Sequence, residues 1–354
     1  MKKNLVVIGY GGMGGWHVGH AQKSDVVNLL GIYDIDPEKT ILARERGIYA
    51  YDSLDEVLSD DRVDIVTVAT PNDSHLDTVI RSLKAGKNVI CEKPVALSSD
   101  ELKVMTDTAH ECGKLFSVHQ NRRWDAEYLM MKEVYDSGKL GSVFTIQSIV
   151  QGSHGIPGDW RGKKKHGGGM ILDWGVHLID QIFCIVGNLK LTSVYCRCDH
   201  ITNCEVDDGF KLDMYFENGL CARIEVGTSH FISLPRFYMA GENGSAIIPD
   251  WNQNCQMIAC TNSAVEKVIP VVTAAGLTKT MAPRSEDSIE KSEIQKPESD
   301  VHDYYRNFVN AIDGKEPLLV THSQLMRVMK VMEACFESDR LGQVVKFDDS
   351  INWH

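Results

Sequence analysis

The chain has 354 residues and a formal net charge of −12, which comes from 37 Lys and Arg against 49 Asp and Glu. This balance argues against a nucleic-acid surface, because phosphate binding needs clustered cations. A content of 43% hydrophobic and 24% charged residues is ordinary for a globular protein, and the length suits two domains.

The ten cysteines show neither a C-x-x-C pair nor the spacing of a zinc site, so we expect free thiols in a reducing compartment. His17 and His20 are three residues apart without a third ligand after them, and no metal site is expected. No apolar run approaches the roughly 18 residues of a membrane helix, and no signal-peptide pattern follows Met1. We therefore expect a cytoplasmic protein.

The first apolar run, residues 5–8, ends at a glycine-rich turn made of Gly9, Tyr10, Gly11, Gly12, Met13 and Gly14. Gly9, Gly11 and Gly14 have the G-x-G-x-x-G spacing. Its glycines allow a tight turn, close approach of a pyrophosphate and close packing of the next helix. The first amides of that helix would face the phosphates. A plain strand-to-helix turn is the alternative.

The second apolar run ends in Asp34, twenty residues after the last glycine of the turn (34 − 14 = 20). A carboxylate at this place typically binds the adenosine ribose hydroxyls. No arginine follows it directly, and Asp36 adds a second negative charge that would repel a 2′-phosphate. The sequence therefore predicts NAD as the cofactor rather than NADP.

The first 120 residues alternate short apolar runs with helix-like segments, a rhythm typical of a doubly wound parallel sheet. The predicted strands are 5–8, 27–33, 65–69, 89–91 and 115–118, and the predicted helices are 13–23, 37–46, 54–59, 74–85 and 98–112. Asp36 and Ser98 are the expected N-caps of two of these helices. Residues 1–120 are therefore predicted to form an α/β dinucleotide-binding domain.

From residue 121 the rhythm changes to consecutive strands, which predicts an α+β domain over 121–354 with a large, open and mainly antiparallel sheet. The predicted strands are 142–151, 192–200, 205–216, 220–229, 236–240, 245–248 and 256–259. The predicted helices are 126–137, 170–186, 301–312 and 323–338, and the charged segment 284–299 is predicted to be an exposed loop. We expect the helices within 301–338 to pack back toward the first domain.

Two groups of polar residues follow predicted strands of the first domain, at the edge where open α/β sheets bind ligands. One is the loop 69–75, which either lines the cofactor crevice or only forms a turn and a helix cap. The other is Lys93, which precedes a proline and therefore favours an extended backbone that projects its side chain from the strand end. Lys93 is either a group that takes part in proton transfer or an ordinary surface lysine.

Three glycines at 167–169 precede a predicted helix on which Asp173 and His177 are four residues apart and share one side. We expect the carboxylate to orient the imidazole and to raise its pKa, which would prepare the ring for proton transfer. The alternative is a polar pair on an exposed helix surface.

Arginines next to tryptophans occur twice, at 121–124 and at 159–161. Guanidinium groups and flat apolar rings together suit sugar or carboxylate groups, and an interdomain packing corner is the alternative. His154 lies in a predicted loop that could border a substrate pocket.

In their order and spacing, the segments 7–14, 70–75, 92–94 and 168–177 resemble the Gfo/Idh/MocA oxidoreductase family. The resemblance covers nearly the whole chain and implies a Rossmann domain followed by a sheet domain whose open face often forms subunit contacts, hence a homo-oligomer. It also implies that Glu92 and Lys93 lie near the nicotinamide, that a cis bond precedes Pro94, and that Lys93, Asp173 and His177 form the catalytic group.

Two sets of binding residues complete these expectations. The expected cofactor-binding residues are Gly9, Tyr10, Gly11, Gly12, Met13, Gly14, Asp34, Ile35, Ala69, Thr70, Pro71, Asn72, His75, Glu92, Lys93, Asn121, Trp160 and Arg161. The expected substrate-binding residues are Lys93, Arg122, Arg123, His154, Trp160, Asp173 and His177.

The resemblance implies an NAD-dependent enzyme that oxidises a secondary hydroxyl of a sugar, cyclitol or glycoside, with C3 of a glucoside as one candidate position. His177 is the expected acid/base and Lys93 the group that stabilises the alkoxide, although these two roles could be exchanged. Two alternatives stay open. One is an NAD-dependent glycosidase that works by oxidation and elimination, and the other is a non-catalytic sugar sensor that binds a dinucleotide.

Overall fold

Two β-sheets organise the chain, of which the computed structural model describes residues 1–261 and 268–349. The first sheet has five parallel strands in the order β2-β1-β3-β4-β5. Their bounds are β1 Lys3–Ile8, β2 Val27–Tyr33, β3 Ile65–Val68, β4 Asn88–Cys91 and β5 Phe116–Val118. The helices between the strands are α1 Gly12–Gln22, α2 Pro37–Glu45, α3 Leu54–Ser59, α4 His75–Lys84 and α5 Ser99–Glu111. The predicted doubly wound sheet is confirmed, with every bound within two residues of expectation.

Local side-chain chemistry explains where two of these helices begin. Asp36 accepts a hydrogen bond from the amide of Glu38 at 2.9 Å, and a proline occupies the first position of α2. Ser98 accepts from the amide of Glu101 at 3.2 Å, and the Glu101 carboxylate accepts from the amide of Leu97 at 2.8 Å. Such caps satisfy amides that the start of a helix leaves unpaired.

The second sheet has nine strands in the order β15-β12-β11-β10-β6-β9-β8-β7-β16, and β6–β9 is its one parallel pair within the described residues. Its strands are β6 Val143–Gln151, β7 Leu191–Asp199, β8 Gly209–Phe216, β9 Cys221–Gly227, β10 Phe237–Gly241, β11 Gly244–Ile248, β12 Cys255–Cys260, β15 Ile289–Ile294 and β16 Val345–Lys346. A separate hairpin joins β13 Val271–Thr273 and β14 Gly276–Thr278. The remaining helices are α6 Ala126–Asp136, α7 Val176–Val186, α8 Asp303–Ile312 and α9 His322–Leu341. The predicted large, mainly antiparallel sheet is confirmed.

The prediction of an exposed loop over 284–299 is wrong at its centre, where β15 pairs antiparallel with β12 at the edge of the sheet. Glu290, Lys291 and Glu293 are exposed along this strand. Charged residues are common on edge strands because they discourage further strand pairing. A charged composition was therefore compatible with a strand.

The C-terminal helices contact elements of the first sheet. The hydroxyl of Tyr305 on α8 bonds to Nδ1 of His17 on α1. His302 bonds to the hydroxyl of Ser24 at 2.7 Å, and Ser117 in β5 donates to the carbonyl of residue 320 at 3.0 Å. These contacts bring the end of the chain against the first sheet and its helices.

Judged by length and composition alone, the segment Lys164–Val186 is long and apolar enough to cross a membrane, with a mean hydropathy of 1.4. In the folded chain, 83% of the most apolar 18-residue stretch of this segment is buried inside the protein. The segment contains α7, so it packs as a core helix.

A buried ion pair fixes the segment between β5 and α6 to α7. Nε and Nη2 of Arg123 donate to the Asp180 carboxylate at 2.7 and 2.6 Å, and the two side chains are 11% and 3% exposed. We predict that Asp180→Ala lowers the free energy of unfolding by about 3–5 kcal/mol, because a buried guanidinium loses its counter-ion.

Asp55→Ala is the matched control in urea unfolding. The Arg81–Asp55 pair is exposed, so its loss should cost roughly 0–1 kcal/mol. Equal small effects of both substitutions would contradict a structural role for the buried pair.

Candidate active site

The β1–α1 turn leaves room for a ligand at its glycines. Gly9 has a φ of +92°, and a Cβ on it would lie 2.5 Å from the carbonyl oxygen of Ala69. A Cβ on Gly14 would lie 1.9 Å from the carbonyl oxygen of Gly9, so only glycine permits this approach of helix to turn. Gly11 and Gly12 instead face open space, and no side chain of the described residues caps the start of α1. The turn therefore fits the pyrophosphate of a dinucleotide.

The surroundings of Asp34, the predicted ribose-binding residue, carry charged groups of both signs. Asp34 accepts from the amide of Tyr10 at 2.6 Å and from the amide of Asp36 at 2.9 Å, and the neighbouring Ile35 is 87% exposed. Nη1 of Arg46 donates to the Tyr10 hydroxyl at 3.2 Å. This arginine was not expected, because it follows Asp34 by twelve residues and reaches the turn only through the fold. The carboxylate suits NAD, whereas the guanidinium suits a 2′-phosphate.

The loop after β3, which borders the predicted cofactor crevice, is held by hydrogen bonds to neighbouring backbone. Asn72 is buried, and its amide nitrogen donates to the carbonyl of Gly167 at 3.0 Å. The ring nitrogens of His75 lie 2.9 Å from the Thr70 carbonyl oxygen and 3.0 Å from the Pro94 carbonyl oxygen. Burial lowers the pKa of His75, so the neutral ring donates to one of these oxygens. Because both nitrogens face backbone, the predicted contact of His75 with the cofactor is wrong.

Lys93 reaches from the end of β4 to the helix beside the second sheet. Its bond to Pro94 is cis, as the resemblance implied. Nζ donates to Oδ1 of Asp173 at 2.9 Å and to the carbonyl oxygen of the same residue at 3.0 Å. Burial raises the pKa of Asp173, but the positive charges of Lys93, Arg161 and Arg122 together outweigh burial and hold this pKa below its usual range. The ionised carboxylate therefore keeps the ammonium in place.

His177, in the first turn of α7, is 3% exposed. Burial lowers the pKa of His177 well below its usual range, and the positive charges of Lys93 and Arg122 lower it further. Nδ1 is buried and has no hydrogen-bond partner among the described residues. The imidazole is therefore neutral at physiological pH and able to accept a proton.

Asp173 and His177 do not form the predicted pair. The helix predicted over 170–186 begins with a π-helical turn, Ile171–Gly175, before α7. In such a turn residues four apart are no longer aligned as on an α-helix. The carboxylate bonds to Lys93, and no hydrogen bond joins it to His177 in the described part of the chain. The expectation that Asp173 orients the ring and raises its pKa is therefore wrong.

A buried carboxylate, Asp207, holds the start of this π-helical turn. Its Oδ2 accepts from the amide of Ile171 at 2.7 Å, and its carbonyl oxygen accepts from the amide of Met170 at 3.0 Å. A Cβ on Gly169 would lie 2.2 Å from Oδ1, so the glycine loop can approach the carboxylate. Burial raises the pKa of Asp207 to about 7. Asp207 was not among the expected site residues. The one feature of the sequence that marks it is the pair of aspartates, Asp207 and Asp208, before a strand.

Glu92 lies beneath the crevice. Its Oε1 accepts from Nε2 of His17 at 2.7 Å and from Nδ1 of His119 at 2.9 Å, and its Oε2 accepts from the amide of Lys93 at 3.2 Å. Burial raises the pKa of Glu92, but the hydrogen bonds from His119 and His17 hold it well below its usual range. Glu92, whose side chain is 6% exposed, supports Lys93 by accepting from its amide, and a contact of Glu92 with the nicotinamide stays a prediction.

The same cluster has the residue types of a metal site. The ligand atoms of His17, Glu92 and His119 lie within 4.8 Å of one another and could hold a metal ion by position. The distances of 2.7 and 2.9 Å are those of hydrogen bonds, however, and the Tyr305 hydroxyl occupies the other nitrogen of His17. We interpret the cluster as a hydrogen-bonded network that positions the Glu92–Lys93 peptide.

The two neighbouring arginines have different places. The guanidinium carbon of Arg122 lies 4.1 Å from the ring centroid of Trp174, and Nη1 donates to Asp125 at 2.8 Å. Arg123 points away and is bonded to Asp180, so its predicted role in substrate binding is wrong. Oδ1 of Asn121, which begins this turn, is buried and has no partner among the described residues.

The loop 159–161 lies beside Asp173. The guanidinium of Arg161 stacks 4.5 Å from the ring centroid of Trp160 and donates to Asp159 at 2.7 Å. Its Nε lies 3.8 Å from Oδ2 of Asp173. Arg161 thus adds a second positive charge next to the Asp173 carboxylate.

A cavity of about 500 Å³ opens beside Arg122 and Trp174. The ends of β6 and β9, the π-helical turn and the loop at Trp251 form its walls. His154 lines this cavity, at the place where a substrate pocket was expected.

Comparison with known proteins agrees with this geometry. Residues 3–120 match the oxidoreductase family model GFO_IDH_MocA, described as an NAD-binding Rossmann fold, and residues 128–247 match the GFO/IDH/MocA C-terminal domain. A crystal structure of an NAD-binding protein from Listeria innocua is 42% identical with a TM-score of 0.94, and the match covers 98% of this chain and 99% of that one.

Two curated relatives have named activities. The scyllo-inositol 2-dehydrogenase (NADP(+)) IolW of Bacillus subtilis is 26% identical over 83% of this chain and 82% of its own length. The D-glucoside 3-dehydrogenase of Escherichia coli is 31% identical over 37% of this chain and 38% of its own length. The chain spans about half the length (47%) of the first curated relatives it matches, uncharacterized oxidoreductases of Schizosaccharomyces pombe that are 33% and 32% identical.

The raised pKa of Asp207 makes a prediction about stability. Between about pH 4 and pH 7 the folded chain holds a proton on Asp207 that the unfolded chain has lost, so the free energy of unfolding falls as pH rises. The difference between the pKa of Asp207 in the folded chain, about 7, and that of an ordinary aspartate corresponds to at most about 4 kcal/mol of stability. Asp207→Asn keeps an acceptor for the Ile171 amide and should remove this part of the pH dependence.

Urea unfolding at mildly acidic and at mildly alkaline pH measures the difference. Asp208→Asn is the control, because the pKa of Asp208 is lowered by hydrogen bonds that outweigh its burial. Its carboxylate stays ionised across this range, so its loss should leave the slope unchanged. The same slope in Asp207→Asn and in the unaltered chain would refute a protonated Asp207.

Proposed function

The chain belongs to the Gfo/Idh/MocA family of oxidoreductases, and on this premise we propose that it oxidises a secondary hydroxyl of a sugar, cyclitol or glycoside. The proposed cofactor is NAD, and the proposed catalytic group is Lys93, Asp173 and His177. One observation carries the proposal: the Lys93 ammonium is held on Asp173 near a buried, neutral His177. This group lies next to the edge of the first sheet where the carboxyl ends of its strands meet. The β1–α1 turn lies at the same edge.

The residues that would hold the dinucleotide are those of the β1–α1 turn for the pyrophosphate and Asp34 for the adenosine ribose. The open space at Gly11 and Gly12 supports this fit. When bound, the nicotinamide supplies the acceptor for the hydride of the substrate carbon. Handling the hydroxyl proton is then the task of the protein.

An alcohol carbon releases hydride readily only when its hydroxyl proton also leaves, so the reaction needs a base at the oxygen. His177 suits this role because its ring is neutral and its Nδ1 is without a partner among the described residues. The Lys93 ammonium, fixed by Asp173, stabilises negative charge that develops on the oxygen. The same geometry permits the exchanged assignment, with Lys93 as the base and His177 as the donor.

The substrate class is proposed from the site and from the relatives together. An inositol and a glucoside, which the two relatives act on by name, share a secondary hydroxyl on a six-membered ring. Beside the catalytic group, Arg122 and Trp174 offer a hydrogen-bond donor and a flat apolar surface, which suit a substrate that extends beyond the reacting ring. C3 of a glucoside is the first position to test.

We also propose a cytoplasmic homo-oligomer. All ten cysteines are free thiols, which suits a reducing compartment. Helices α6, α7 and α9 contact the second sheet, whose other face carries Tyr238, Ile247 and Ile258 on neighbouring strands. This face is the proposed subunit contact.

The direct test follows NADH absorbance during incubation with a panel of cyclitols, sugars and glycosides, together with mass spectrometry of the products. A keto product formed with NADH is the expected result. Release of a free sugar without net NADH would indicate oxidation and elimination instead. No turnover across the panel, with or without added NAD, would contradict the proposal.

We predict that His177→Ala and Lys93→Ala each lower kcat by about 10²–10⁴-fold, the usual contribution of acid–base assistance. NAD binding, measured by calorimetry, should stay nearly unchanged. Lys84→Ala, at an exposed lysine on α4, is the control and should keep full turnover. Full turnover of either catalytic variant would remove that residue from the mechanism.

The ribose end of the crevice makes a separate prediction. Asp34→Asn removes the negative charge and keeps an acceptor for the Tyr10 amide. The ratio of kcat/KM with NADP to that with NAD should therefore rise by about tenfold, which is 1.4 kcal/mol. Adding Arg46→Ala should reverse the gain, because the guanidinium beside Tyr10 would bind the 2′-phosphate. An unchanged ratio in Asp34→Asn would contradict selection by this carboxylate.

A further inference from the structure

We propose that the substrate carries a second ring, a sugar or an aryl group, and that this ring binds against Trp174 and Trp251 in the cavity beside the catalytic group. This inference rests on the proposed function, since it names the kind of glycoside that the same site takes.

The cavity begins where the catalytic group ends. Met170 and Trp174 line it and flank Asp173 in the chain, whereas Lys93 and His177 are not among the described residues that form its walls. A reacting ring placed at Lys93 and His177 therefore leaves the cavity free. Its volume of about 500 Å³ falls in the range of sites that bury a ligand larger than a single sugar ring.

Two indole rings form the apolar part of the wall. The centroids of Trp174 and Trp251 are 6.1 Å apart, with an angle of 53° between the rings. The guanidinium carbon of Arg122 lies 4.1 Å from the Trp174 centroid, and that of Arg236 lies 4.8 Å from the Trp251 centroid. Each indole ring therefore packs against a guanidinium group. Trp251 nevertheless stays 39% exposed, so a ligand ring packed on it would bury further apolar area.

The polar part of the wall suits neutral hydroxyl groups. No acidic side chain is found among the described lining residues, although the whole chain carries a net charge of −12. The charge of Arg122 is already paired with Asp125 at 2.8 Å, so it offers little to an anionic group. Hydroxyl groups can still accept from its remaining N–H donors.

Two of the lining side chains are available to a ligand and two are not. Ser153 and His154 form no hydrogen bond with other described residues, and both line the cavity. Gln151 is committed, because its oxygen accepts from the amide of residue 234 at 2.9 Å and its nitrogen donates to Glu225 at 2.8 Å. The Thr228 hydroxyl donates to a backbone carbonyl at 2.7 Å. Free donors beside a flat apolar wall are what a second, hydroxylated or aromatic ring requires.

The test compares kcat/KM for one-ring and two-ring substrates. Methyl glucoside has one ring, whereas cellobiose and phenyl glucoside have two. The unaltered enzyme should prefer the two-ring substrates by about tenfold or more. Trp251→Ala should lower this preference ratio by about tenfold, which is 1.4 kcal/mol and near the value of a good aromatic contact. Trp251→Phe, which keeps an aromatic surface, should retain most of it.

Phe336→Ala is the matched control. Phe336 is 41% exposed, close to the 39% of Trp251, and does not line the cavity, so the ratio should be unchanged. An equal or greater kcat/KM for methyl glucoside in the unaltered enzyme would overturn the inference while leaving the proposed function intact. Equal losses on both substrate classes in Trp251→Ala would do the same. The absence of any oxidation across a wider panel of sugars and cyclitols would instead contradict the proposed function.

Discussion

The contact between Lys93 and Asp173 joins the two sheets at the proposed reaction site. An ammonium at the end of a strand in the first sheet and a carboxylate on a π-helical turn beside the second come from positions 80 residues apart. Lys93 and Asp173 each depend on other buried residues to hold them in this contact. The network of Glu92 with His17 and His119 supports the backbone of Lys93, and the buried carboxylate of Asp207 holds the turn that carries Asp173.

This ion pair also explains the charge state of its neighbourhood. Burial and the positive charges of Lys93 and Arg122 act together to keep the pKa of His177 low. The Asp173 carboxylate stays ionised because its positive neighbours outweigh the effect of burial on its pKa. A cation, an anion and a neutral imidazole therefore occupy one small site, and each has the protonation state that proton abstraction from an alcohol requires.

The fold was largely predictable from the sequence, because buried parallel strands and capped helices leave strong local signals. The exceptions have physical causes. The edge strand β15 has the charged composition of a loop, and the π-helical turn at 171–175 contradicts simple helical spacing. Lys93, Asp173 and His177 could be named as candidates, yet the partner of Asp173 could not, since ion pairing over 80 residues is set only by the fold.

Residues whose role depends on distant contacts were the ones misjudged or missed. Arg123 and His75 carry types that suit ligands, but their polar atoms are bonded inside the protein. Arg46 and Asp207 reach the site only through tertiary structure. These four residues show that the residue type indicated the chemistry, whereas burial and hydrogen bonding decided which side chains were free to perform it.

The most direct test of this account is a double-mutant cycle on kcat/KM with Lys93→Met and Asp173→Asn. If the ion pair acts as one unit, the double variant should lose no more activity than the more damaging single variant. Losses that simply multiply would show that Lys93 and Asp173 act independently, and would contradict the claim that their contact organises the site.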